Sequence, residues 1–369
     1  MNFFKDKARG RNGSGPMTAN GVRQPAKGSP KGATGGEQQR SNAVIANFHP
    51  VAFLVAATPP GQKKNRLSIS ARSCEKGSEA LLSEKNSNQI RAPLSNLIPE
   101  SPQTIFFSLS TRLIFLGTAT SVGVPIIGCD CEVCTSPDPR NKRTRSSLYL
   151  ESNETRLLVD TGPDLREQAL RERLHQIDHV LYTHDHLDHV AGFDELRAFC
   201  WHREDPLPIH ASAHTLTSLQ RMYPWAFGNT ARNYVRPSPR PFIDFQTLSL
   251  GDITVQTFPV EHGATPTHGF LFTLPTGQRI SYSPDIKSFP PPSKELLKNV
   301  DLLIIDALRE QPHQSHMSFN EALEASAALA PKQTALTHLT HELDFAQTTA
   351  KLPPNIFVAT DGLTLSFNA

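Results

Sequence analysis

Apolar residues in the C-terminal two thirds of the chain come in short runs closed by Gly, Pro or an acidic residue, a pattern that predicts strands. The first is Arg112-Leu-Ile-Phe-Leu-Gly117. Further strand candidates span Leu148–Leu150, Arg156–Asp160, His179–Thr183, Ile253–Pro259, Gly269–Leu274, Arg279–Ser283, Leu302–Asp306, Thr334–Thr337 and Ile356–Ala359. Helical spacing is clearest over Asp164–Gln176, His189–Cys200 and Phe319–Leu329, the last opened by a capping-box pair, Ser318 and Glu321. Strands in long runs with few helices between them predict an α/β fold of sheets packed on each other with helices outside, not a simple alternating parallel sheet. No internal repeat is visible.

Residues 1–110 show no sustained period and are rich in Gly, Ser, Lys, Arg, Asn and Gln. Such a segment buries too little apolar surface to offset its ordering entropy, so it is expected to be a disordered tail ahead of a domain over residues 111–369. Charge divides the same way: the first 110 residues hold 15 Lys or Arg against 6 Asp or Glu, a net +9 inside a whole-chain +2, which leaves the remainder at −7. Of 15 histidines only His49 lies in that tail, which puts the candidate chemistry in the C-terminal domain. No apolar run approaches the ~20 residues of a membrane span, and the start lacks a secretory h-region. A cytoplasmic protein with no membrane partner is expected.

Two clusters of ligand-type side chains stand out. In Thr183-His184-Asp185-His186-Leu187-Asp188-His189, an extended backbone puts His184 and His186 on one side, where they can share a cation. A helix starting near Asp188 would turn Asp188 and His189 toward a second cation. Imidazole and carboxylate together suit Zn, Mn or Fe. In Cys129-Asp-Cys131-Glu-Val-Cys134, three thiols lie within six residues, too close for an ordinary disulfide framework but suited to a tight loop around one Zn²⁺ with a fourth ligand from elsewhere. The alternative there is a buried apolar cluster. Cys200, on an apolar helix face, reads as core, and Cys74 lies in the tail.

The histidine stretch resembles the His-x-His-x-Asp-His signature of the metallo-β-lactamase superfamily, which implies an αββα sandwich and a two-metal hydrolase. By that resemblance His184, His186 and His262 hold one metal, Asp188, His189 and His338 the other, and Asp285 bridges them, while Asp160 in Leu157-Leu-Val-Asp-Thr-Gly162 steadies the ligand loop. His268 competes with His262 but opens a strand instead of following one. Residues Gly117 to Cys134 with Arg140, Arg143 and Arg145 are similar to the PhnP family, phosphodiesterases that open 5-phosphoribosyl 1,2-cyclic phosphate. That similarity implies a structural Zn²⁺ on Cys129, Cys131, Cys134 and His341, besides two active-site divalent metals, Zn²⁺ or Mn²⁺.

The same resemblance implies hydrolysis by a hydroxide held between the two metals, with His316, just ahead of a helix N-terminus, as general acid and Asp188 among the residues catalysis needs. His313 is a weaker candidate for the acid. The three arginines can grip a substrate phosphate in bidentate fashion. The expected substrate is a small phosphorylated molecule and not nucleic acid, with a homodimer left open. Two other readings share the fold: a factor of pyrroloquinoline quinone biosynthesis, which also carries a Cys-x-Cys-x-x-Cys loop but an incomplete active-site set, and a tRNA 3′-processing nuclease. Pro284 stands before Asp285 where the PhnP family has a small residue.

Overall fold

A computed structural model describes residues 110–201, 203–228 and 235–368. The expected disordered tail, with His49 and Cys74, lies outside the described residues apart from Ser110. The first sheet is built from β1 (Ser110–Gly117), β2 (Ser147–Glu151), β3 (Arg156–Val159), β4 (His179–Leu181), β5 (Leu207–Ser212) and β6 (Pro237–Phe242). The second takes β7 (Thr247–Leu250), β8 (Ile253–Val260), β9 (Thr267–Thr273), β10 (Arg279–Ser283), β11 (Leu302–Asp306), β12 (Gln333–Thr337) and β13 (Ile356–Val358), before β14 (Thr364–Asn368) returns to the first sheet beside β1.

Each sheet changes from antiparallel to parallel pairing along its width. In the first, β14, β1, β2 and β3 are antiparallel neighbours and β3 through β6 run parallel. In the second, β7 through β10 are antiparallel and β10 through β13 parallel. One apolar layer, including Leu113, Phe115, Val159, Phe270, Tyr282 and Ile304, fills the space between the sheets. Separate apolar layers seat the helices on the outer faces, Tyr182, Val190 and Phe193 on one side and Ile305, Phe319 and Ala322 on the other. This is the αββα sandwich, and the parallel strands end together at one rim, where loops carry chemistry.

Four strands escape the sequence pattern. β6 carries Pro237, Pro239 and Pro241, residues that argue against a strand because they cannot donate to a ladder. At alternate positions all three face away from β5, its one partner, so the missing donors lie on the free edge. β5 has no continuous apolar run, because Pro208 and His210 alternate with Leu207, Ile209 and Ala211, and β7 and β14 are too exposed for a clear pattern. The helix expected over Asp164–Gln176 ends at Arg171. That expected over His189–Cys200 is broken: a short helix over Leu187–Val190, a tight turn over Phe193–Leu196 and a second short helix over Arg197–Cys200. The break falls at Gly192, where a Cβ would collide with the carbonyl oxygen of Gly162. The capping box of Ser318 and Glu321 is present as expected. No helix of the described residues is long and apolar enough to cross a membrane.

Candidate metal centre

β4 ends at Leu181, and the next eight residues pass over the sheet rim carrying the histidine motif. The loop is held by Asp160 at the end of β3. Its buried carboxylate accepts from Thr183 N and Thr183 Oγ1, each at 2.9 Å, and from His189 Nδ1 at 2.8 Å. Asp160 adopts a left-handed backbone (φ 63°), and so does His338 (φ 59°), a conformation costing side chains with a Cβ about 1–2 kcal/mol. Gly162 lets the turn close: a Cβ there would run into the carbonyl oxygen of Asp188.

Two nests of ligand atoms result. His184, His186, His262 and Asp285 offer atoms all within 4.8 Å of one another, and so do Asp188, His189, Asp285 and His338. Asp285 serves both with separate oxygens. Oδ2 is 3.7 Å from His184 Nε2 and from His262 Nε2, whereas Oδ1 is 3.2 Å from His189 Nε2 and 3.3 Å from His338 Nε2. Asp188 Oδ2 lies 3.2 Å from His189 Nε2. His262 joins the first nest, and His268 is elsewhere, bonded to Asp244 at 2.8 Å.

The donor set fits divalent cations. His189 donates Nδ1–H to Asp160, and His262 directs Nδ1 to the Ser315 carbonyl at 2.9 Å, so both rings present Nε2 inward. Nε2 of His184, His189 and His338 and Oδ1 of Asp285 are buried without a hydrogen-bond partner, a costly state for atoms with no ligand to meet. The field around them favours positive charge. Burial opposes ionisation of Asp285, yet His338 and His189 hold its carboxyl well below the usual range. Burial likewise works against a charged His338, but Asp285, Asp188 and Asp306 push it up to about 10.

His316 reaches the same rim. Its ring stacks on His338 (4.9 Å between centroids, 12° between planes) and meets His262 edge-on at 4.6 Å, with Nδ1 2.7 Å from Asp306 Oδ2. His313 sits one ring further out, 5.1 Å from His316. Sequence reasoning missed Asp306, although Leu302-Leu-Ile-Ile-Asp306 has the same form as Leu157-Leu-Val-Asp160: an apolar strand ending in a buried aspartate at the rim.

The second cluster is also assembled. His341 Nδ1 is 3.2 Å from Cys129 Sγ, 3.4 Å from Cys131 Sγ and 3.5 Å from Cys134 Sγ, three sulfurs from a tight turn meeting one nitrogen from the loop after β12. The Cys134 backbone N–H bonded to its sulfur lowers the Cys131 thiol to about 6, whereas burial pushes Cys134 up to about 11.

Each of the three arginines is engaged by partners outside the two histidine nests. Arg143 is 2% exposed, and its guanidinium donates to Leu343 O at 2.9 Å, Thr340 O at 3.3 Å and Asn141 Oδ1 at 3.2 Å. Arg140 pairs with Asp138 and lies over the Phe345 ring at 4.3 Å. Arg145 pairs with Asp164 at 3.0 Å. Arg143 and Arg145 border a separate cleft of about 490 Å³ lined by none of the clustered histidines. A charge-assisted fork buried this deeply holds loops together. Arg143→Ala is expected to lower Tm by roughly 5–10 °C in thermal denaturation, from about 2–4 kcal/mol of lost hydrogen bonding. Arg143→Lys should not restore it, because an ammonium lacks the fork; full rescue by lysine would contradict this.

A sequence model of the Beta-lactamase superfamily domain matches residues 155–339. An octanoyltransferase of Porphyromonas gingivalis is 35% identical over 262 residues, 68% of this chain and 51% of that protein. The chain spans about half the length of the first curated relatives it matches. A crystal structure described as a new diphosphatase from the PhnP family is 34% identical, with a TM-score of 0.65 over 71% of this chain and 98% of that one. Zn²⁺-bound PqqB from Methylobacterium extorquens, at 21% identity and a TM-score of 0.58 over 69% of this chain and 99% of that one, shares the fold. With the sandwich, the rim of histidines and these likenesses together, the chain belongs to the PhnP-like family of the metallo-β-lactamase superfamily and has the fold of a metallo-hydrolase.

Proposed function

We propose that the domain over residues 111–369 hydrolyses a small cyclic phosphodiester of the phosphoribosyl 1,2-cyclic phosphate type at a dinuclear metal centre. The observation that carries this reading is the division of Asp285: one oxygen faces the nest of His184, His186 and His262, the other that of Asp188, His189 and His338. Two divalent cations held there, Zn²⁺ or Mn²⁺, would activate water at neutral pH and offset the charge that builds on phosphoryl oxygens.

The protein's own groups supply the rest. Asp160 fixes Thr183 and His189, and the Ser315 carbonyl fixes His262, so ligand atoms are oriented before substrate arrives. His316 is the group placed to give a proton to the leaving oxygen, being next to both nests with its side chain 13% exposed. The Cys129, Cys131, Cys134 and His341 cluster would hold a third, structural Zn²⁺. The likeness to a PhnP-family diphosphatase supports phosphoryl chemistry.

Elemental analysis of the purified full chain, read with turnover of bis(p-nitrophenyl) phosphate, a ribosyl 1,2-cyclic phosphate and a nucleoside diphosphate compound, tests the proposal. Close to three metals per chain and diester turnover that Asp188→Ala abolishes are expected. Preference for the diphosphate would move the substrate class. A single tightly held zinc with no turnover after adding Mn²⁺ or Zn²⁺ would sink the dinuclear reading.

A further inference from the structure

Asp306 closes β11 with its side chain fully buried. Oδ2 accepts from His316 Nδ1 at 2.7 Å and from Ile286 N at 3.2 Å, the residue after the shared carboxylate Asp285. Oδ1 has no hydrogen-bond partner and faces His338 Nδ1, also unpartnered, across 3.6 Å. The two imidazoles so addressed lie nearly parallel, 12° between planes.

We propose that Asp306 is the positioning residue of this centre, one buried carboxylate that sets the tautomer and ring plane of His316 and steadies His338 beside it. The inference rests on the reading of His316 as proton donor. The physical reason is specific to imidazole. A ring whose Nδ1–H is engaged by a carboxylate has only Nε2–H to give. When the phosphorus–oxygen bond breaks, that proton passes from Nε2 to the leaving alkoxide oxygen, and the ring is left as the neutral Nδ1–H tautomer, which Asp306 still accepts from. An amide at position 306 can hold the ring by its oxygen, but it can equally turn its NH₂ end to Nδ1, which then accepts and leaves the ring in the other tautomer. The bond to Ile286 N fixes the Asp306 carboxylate relative to Asp285, so the donor is registered on the residue that both nests share.

The test compares wild type, Asp306→Asn, His316→Ala and the double variant, all as full metal-loaded chains, on two diesters. Bis(p-nitrophenyl) phosphate releases a phenolate that needs no proton; a cyclic ribosyl phosphate releases an alkoxide that does. Both single variants are expected to lose about 10²-fold or more in kcat on the alkoxide substrate and less than about 10-fold on the aryl one, and the double variant to show the same ratio of the two substrates as His316→Ala. Independently of turnover, proton NMR should show a downfield Nδ1–H signal that His316→Ala removes and Asp306→Asn shifts upfield or loses. If Asp306→Asn keeps both the signal and the wild-type ratio of the two substrates while His316→Ala changes that ratio, the positioning role is overturned and the proton donor stands. If His316→Ala leaves the ratio unchanged, both fall. The NMR signal is also read in wild type and His316→Ala, so its absence from wild type would overturn the proposal even were Asp306→Asn poorly folded.

Discussion

Asp285→Ala is expected to abolish turnover, by at least about 10³-fold, and to take metal out of both nests rather than one. The magnitude follows the scale on which one preorganised charge at a reacting centre is felt. The breadth follows from geometry: Asp285 is the residue common to the two nests, its Oδ1 at 3.2 and 3.3 Å from ligand atoms of one and its Oδ2 at 3.7 Å from two of the other. Asp188→Ala differs, because Asp188 belongs to one nest alone, beside His189 and His338. Elemental analysis of the two variants side by side separates them. Asp188→Ala should retain the cation of His184, His186 and His262, whereas Asp285→Ala should retain less than one equivalent in the histidine centre. Equal retention in both variants would show that the nests do not share Asp285 in the loaded protein.

Legibility in the sequence followed how local each signal is. The histidine loop was readable because four residues of ligand type crowd into six positions, and His262, Asp285 and His338 were reached through the resemblance to the superfamily, each standing after a distinct apolar run. Relations set by pairing were not readable. Prolines at alternate positions look like a strand breaker until β6 is seen to be an edge, and the helix after His189 looks continuous until Gly192 meets Gly162. The partners of Arg143 were hidden for the same reason: its acceptors include carbonyls of residues 340 and 343, about two hundred positions away in sequence. Asp306 was visible as a strand-ending aspartate but could not be assigned a partner, since ten residues separate it from His316 and thirty-two from His338.

Cys134→Ala is expected to remove one zinc per chain, to lower Tm by about 10 °C, and to cost roughly 10-fold in turnover although no residue of the histidine centre has changed. The thermal figure corresponds to about 4 kcal/mol, the linkage expected when free zinc stands ~1,000-fold above its dissociation constant, spread over a domain of this size. The catalytic figure has a path through the backbone. His341 lies three residues after His338, and the intervening turn is tied to the first sheet by Leu339 N on Thr118 O at 2.9 Å and by Thr120 N on Leu339 O at 3.3 Å, with the Arg143 guanidinium on Thr340 O. Zinc on Cys129, Cys131, Cys134 and His341 would pin the far end of that turn, and releasing it frees His338, already held at a positive φ, to relax away from Asp285. Each thiol must shed its proton to bind, so zinc retention should weaken as pH falls, and dialysis against a chelator at stepwise lower pH should strip this site with a parallel loss of Tm. A Cys134→Ala protein with wild-type zinc content and an unchanged melting curve would mean that the three cysteines pack as an apolar cluster, leaving His338 to be held by the Asp306 side alone.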